Sequence, residues 1–210
     1  MKNIDIKTII FWGAAWGICE ATLGWFLHLM HVKGEVMILY PFGLLCMMMA
    51  AKQTGKSSSI FMVGMVAALI KLVNLFFPAS GSIFRTTNPA VAIVIESLLT
   101  WGFYAYAQKK GTALWQQLAL GVLIVFFSLF VFRGWQTVVD TFFAHNPNAH
   151  KPYDVALFQK WSWRALVQGF MLVGAFQVVK LTPQNINFNS WSNRLAFPLL
   201  ALAACLTVML

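Results

Sequence analysis

Three charged side chains fall where membrane-spanning helices would have their middles: Glu20 within 8–30, Lys71 within 58–77 and Glu96 within 89–108. A charge at the centre of a span costs roughly 2.5–3.5 kcal/mol on insertion scales, so such residues face a bundle interior, a partner or water. Around them lie groups of the same kind of use. On the third span Gly64, Ala67, Ala68, Lys71 and Asn74 share a helical face, and on the fourth Asn88, Ala92, Glu96 and Thr100 do so. Two helices thus present opposite charges inward. One lysine can pair with Glu20 or Glu96, which leaves one carboxylate over as a candidate for a proton or for a cationic group on a ligand. The other reading of the trio is a structural ion network that fixes helix order.

Those positions require a membrane setting, and the composition supplies it. Hydrophobic residues make up 60% of the 210 and charged residues 10%, against about 25% charged in soluble domains. At about 20 residues per crossing, apolar runs at 8–30, 35–51, 58–77, 89–108, 112–133, 163–180 and 195–210 predict an all-α, polytopic transmembrane bundle occupying 1–210 as one unit. It has six helices, or seven if the closing run, 16 residues long with Pro198, crosses fully. The first run carries Glu20 and no small-residue cleavage site, so it reads as a retained span and not a signal peptide. Connections are short and polar apart from Arg133 to Lys160, whose segment Phe142 to Tyr153 holds turn-forming Pro and Asn between aromatic residues suited to the headgroup zone.

Eight lysines and arginines fall on the side of the N-terminus and six on the other, which puts the N-terminus in the cytoplasm of a cell whose inner (plasma) membrane holds the chain. The net charge of +9 then reflects topology and anionic headgroups, and nucleic-acid binding is not expected.

Gly13, Gly17, Ala21 and Gly24 form a small-residue ridge on the first span, a face built for close approach of another helix, within the bundle or from a separate membrane subunit. Arg85, beside Thr86, Thr87 and Asn88 at a helix start, could hold an anionic group or snorkel to headgroups. Trp25, Trp135, Phe142, Phe143, Tyr153, Trp161 and Trp163 gather toward the far side, as stacking surfaces or as interfacial anchors. His28, His31, His145 and His150 lie on that side without acidic or thiol ligands at metal-site spacing, so no metal site is expected. Cys19, Cys46 and Cys205 sit singly inside apolar spans and read as small buried hydrophobes. Glu20-Ala-Thr-Leu-Gly-Trp25 and Glu96-Ser-Leu-Leu-Thr-Trp101 echo one another, as the first helices of two inverted three-helix groups would.

The run Gly64-Met-Val-Ala-Ala-Leu-Ile-Lys-Leu-Val-Asn-Leu-Phe-Phe-Pro78, followed by Asn88-Pro-Ala-Val-Ala-Ile-Val-Ile-Glu-Ser-Leu-Leu-Thr-Trp-Gly-Phe-Tyr104, resembles the third and fourth helices of substrate-binding S-components of energy-coupling factor vitamin transporters. The ridge on the first span is similar to the one those proteins dock on their transmembrane coupling subunit, and the likeness covers about residues 8–108. It implies six helices with both termini cytoplasmic and a vitamin-sized ligand near the outer face, beneath the connections 31–34, 79–87 and 134–161. It also implies a partner coupling subunit with its ATPases.

The chain itself has no phosphate loop, zinc-hydrolase signature, nucleophile elbow or paired aspartates, so neither an enzyme nor a resident cofactor is expected. The function read from the sequence is a membrane-embedded binding component for uptake of a small vitamin-like or metal-containing solute, driven by partner subunits or an ion gradient. Its candidate substrate-binding residues are Glu20, His28, Lys71, Asn74, Arg85, Asn88, Glu96, Trp135 and Trp163, and its candidate docking residues are Gly13, Gly17 and Ala21. A structural subunit of a larger membrane complex, or a small intramembrane enzyme using Glu20 and Glu96, are the alternatives.

Overall fold

The computed structural model describes residues 5–31, 35–76, 83–109, 112–144, 154–183 and 188–209. Among them the chain forms seven α-helices: α1 (Ile6–Leu29), α2 (Glu35–Thr54), α3 (Ser59–Leu72), α4 (Ile83–Ala107), α5 (Leu114–Val139), α6 (Val155–Leu181) and α7 (Phe188–Met209). Six of them, all but α2, are long and apolar enough to cross a membrane, α3 together with the 3₁₀ turn Val73–Phe76 that continues it. The protein is a multi-pass helical membrane protein.

Side-chain pairs fix the direction of each helix. At the end where α1 begins, the Trp12 indole donates to Gln53 near the end of α2, and the Thr54 and Ser59 hydroxyls meet across the α2–α3 connection. At that same end Trp101 of α4 donates to Ser57, Gln177 of α6 donates to Gln117 of α5, and Thr8 shares a hydrogen bond with Ser192 of α7. At the opposite end Trp135 of α5 donates to Asn88 of α4, and the rings of Phe84 and Phe143 meet. The helices therefore alternate in direction, with α7 parallel to α1. The six-helix arrangement with both termini together, which the resemblance implied, differs from this one: α7 carries the chain back to the end opposite Ile6.

In a closed round, α1 packs on α3, α3 on α4, α4 on α5, α5 on α6, α6 on α2 and α2 on α1, while α7 lies outside against α1, α3 and the 3₁₀ turn. Small residues set the spacing. A Cβ on Gly64 would lie 2.2 Å from Cβ of Ser97, and one on Gly169 would lie 2.9 Å from the Val122 backbone nitrogen, so α3 meets α4 and α6 meets α5 at near-backbone contact. In α2, Leu44, Met47, Met48, Ala50 and Ala51 are buried. The Lys52 ammonium turns along α6 and donates to the carbonyls of Val179 and Thr182, capping orphan acceptors at that helix's end. Leu123, Phe127 and Phe130 of α5, Phe170 and Val178 of α6, and Phe197 and Leu202 of α7 face outward, as lipid-contacting residues do.

The expected spans hold as elements but several run longer. α5 passes Arg133 to Val139 and ends in a π-helical turn, Asp140–Ala144. α6 starts eight residues before 163, where the Asp154 carboxylate accepts the Leu157 N–H and caps the first turn. Charged residues at the ends of the apolar runs lie on helices here, Arg133 on α5 and Lys160 on α6. Likewise α4 begins at Ile83, six residues ahead of Pro89, which removes one backbone donor but is accommodated inside the helix.

Candidate functional site

The charged trio converges. Glu20 of α1 places Oε2 3.9 Å from Lys71 Nζ of α3, with 17% and 21% of the two side chains exposed, so the pair is mostly withdrawn without being sealed. The Trp16 indole, one turn earlier on α1, donates to Oε1 of the same carboxylate at 3.4 Å. Its place is set by Gly43 of α2, where a Cβ would come within 2.7 Å of the indole ring. Only glycine leaves that room. Glu96 of α4 directly precedes Ser97, which packs against Gly64 of α3, and Tyr40 of α2 is buried. Glu96 has no ion-pair partner among the described residues.

Just past Lys71 the α-helix tightens into the 3₁₀ turn Val73–Phe76. With three residues per turn, side chains at i and i+3 align, which brings Asn74 in line with Lys71. Asn74 Oδ1 is buried and, among the described residues, without a hydrogen-bond donor. The helices of this centre thus contribute an ion pair and, among the described residues, a carboxyl group with no ion-pair partner and an amide oxygen with no hydrogen-bond donor. Chemically this is a set of acceptors around one ammonium, suited to a cationic or hydrogen-bond-donating group.

Two further expected site residues bind one another: the Trp135 indole donates to Asn88 Oδ1 at 3.0 Å, tying α5 to the start of α4. Trp163 stands apart. It is 66% exposed on the outer surface of α6, while Trp161, two positions earlier and 5% exposed, turns into the bundle. Trp163 therefore points away from the bundle in this fold, because residues two apart on a helix point about 200° from one another. The side chains of His28 and Arg85, and the whole of His145 and His150, lie outside the described residues. No cluster of three or more His, Cys, Asp or Glu fit to hold a metal occurs among the described residues.

The ridge Gly13, Gly17 and Ala21 is buried within the chain. A Cβ on Gly13 would sit 2.6 Å from Val66 of α3, and one on Gly17 would meet Ile70 of α3 at 2.8 Å and Ala203 of α7 at 3.6 Å. Of the two uses open to such a ridge, this fold employs internal packing, with α3 and α7 as the partners.

Sequence reasoning passed over Trp16, Tyr40 and Gly43. The four-residue spacing of Trp16 and Glu20 was the available sign for the first; nothing in the sequence pointed to the others. Arg133 and Arg164, basic residues at the ends of the long fifth connection, line a cavity of about 310 Å³ between α5 and α6.

Fold and site together define a class: a polytopic helical membrane protein with an ion-paired, partly open polar centre among its first four helices. Comparison with protein-family models, with curated proteins and with solved structures finds no match.

Proposed function

We propose that the chain is a membrane-embedded solute-binding component of an uptake system. It sits in the plasma (inner) membrane with its N-terminus cytoplasmic. The observation that carries this reading is the division of charge in the polar centre. Lys71 is taken by Glu20, and Glu96, at the middle of α4, is left with no ion-pair partner among the described residues. An uncommitted carboxyl group inside a membrane bundle is costly, and a functional role is the default explanation for its presence. The ligand class that fits is a small, vitamin-sized solute with a cationic or strongly hydrogen-bond-donating group, which Glu96 and Asn74 would receive while the Glu20–Lys71 pair holds the helices in register. With no nucleotide-binding motif in the sequence, energy would come from a transmembrane coupling subunit with ATPases, as the resemblance to S-components implies, or from an ion gradient. Because α3 and α7 occupy the α1 ridge, a coupling subunit would dock on outward-facing surface.

A ligand that binds only the folded state stabilises it by mass action, by about 2.7 kcal/mol at a hundred times its Kd. Thermal unfolding in mild detergent against a panel of cationic, vitamin-sized solutes tests the proposal. At least one should raise the midpoint in wild type and lose that effect in Glu96→Gln. If none does, or if the variant responds equally, the reading is wrong.

A further inference from the structure

The second polar concentration lies between α5 and α6, near the end of the bundle where α5 finishes and α6 begins. Its cavity, about 310 Å³, is lined by Arg133 and Gln136 of α5, by Leu157, Trp161 and Arg164 of α6, and by Asp154 just before it. Arg133 and Arg164, on facing helices, therefore line one space. Among the described residues neither has a salt-bridge partner, and Nε of Arg133 is buried without an acceptor. A buried, unmatched donor on a charged group is costly, and an arriving anion would relieve it. The one acid on the cavity wall, Asp154, is exposed and already accepts the Leu157 N–H at 2.8 Å, so it only partly offsets the two positive charges. The apolar wall is firm: Trp161 is packed edge-to-face against Phe126 and Phe158.

The geometry points to an oxyanion site, specifically one for a phosphoryl group held in the fork between Arg133 and Arg164, with Gln136 as a further polar contact. Guanidinium pairs match phosphate oxygens with several parallel hydrogen bonds, which a lone carboxylate would use less fully. The phosphoryl group has two sources at this level of the membrane: the headgroup of a phospholipid and a soluble phosphate or phosphate ester. This site shares no residue with the α1–α4 centre and stands or falls independently of the uptake proposal.

The test uses the full chain in detergent after delipidation, with inorganic phosphate and short-chain (dihexanoyl) phosphatidylglycerol as probes and the thermal midpoint as readout. Wild type should gain stability with at least one probe. Arg133→Gln and Arg164→Gln should each need about tenfold to a hundredfold more of it, and Arg133→Lys, which keeps the charge and loses the fork, should fall between. Should Arg133→Gln fail to fold, Arg164→Gln and Gln136→Ala carry the same comparison. A response to inorganic phosphate assigns the site to soluble phosphoryl groups; a response to the lipid alone assigns it to headgroups. Glu96→Gln should respond like wild type. No response to either probe, an equal response in the arginine variants, or a response lost in Glu96→Gln would overturn the proposal.

Discussion

Substituting Gly64 by Ala adds one methyl group where α3 and α4 touch, and the consequence can be worked out. The new Cβ would lie 2.2 Å from Cβ and 2.3 Å from Oγ of Ser97, whereas ordinary contact begins near 3.4 Å. Ser97 is buried and its hydroxyl is engaged with the Val94 carbonyl, so rotating it away does not remove the Cβ clash. The helices must part. Overpacking of this kind costs about 1–3 kcal/mol, and the better helix propensity of Ala returns up to about 1 kcal/mol. A clash this short belongs in the upper part of the range, so we expect Gly64→Ala to lower stability by about 1–2 kcal/mol. Removing the opposing Cβ with Ser97→Gly restores the space, so the double variant should be more stable than the sum of its single changes by about 1 kcal/mol or more. Reversible unfolding in mixed detergent micelles, followed by far-ultraviolet circular dichroism, measures all four proteins. If Gly64→Ala matches or exceeds wild type, or if the two changes simply add, the α3–α4 contact is not the close approach described.

Other consequences follow from particular contacts. Lys71→Met removes the ammonium that pairs with Glu20 and should cost about 1–3 kcal/mol, less than a sealed buried pair because both side chains keep some exposure; adding Glu20→Gln should recover part of the loss in the same unfolding assay. Lys52→Met uncaps the carbonyls at the end of α6 and should cost about 1–2 kcal/mol, with faster amide exchange confined mainly to the last turn of α6. Gly17→Leu should destabilise the isolated chain, because the added side chain collides with Ile70; unchanged stability would place the ridge on a free surface. Under the uptake proposal, Trp163→Ala should leave any ligand-induced rise in the thermal midpoint intact.

The sequence announced the class of fold plainly, since runs of about 20 apolar residues have few other uses, and the three interior charges identified the helices that carry the polar centre. Helix ends were less legible. Arg133 and Lys160 look like the ends of a connection by charge alone, yet both lie on helices. Which face of a helix turns inward was legible only where a charge or a small-residue ridge marked it. In lipid both faces are apolar, so periodicity does not separate Trp161 from Trp163, or a ridge that packs within the chain from one that docks outside it. The pairing of Lys71 with Glu20 and not with Glu96 depended on the depth at which three helices cross, and no local pattern encodes that.

The central claim, that the polar centre of α1–α4 receives a solute through Glu96 while Glu20 and Lys71 hold one another, is tested most directly by native mass spectrometry of the protein extracted in mild detergent. Wild type should carry a bound small molecule, and Glu96→Gln, still folded by circular dichroism, should not. An equally loaded Glu96→Gln protein, or a wild type that carries nothing, would contradict it.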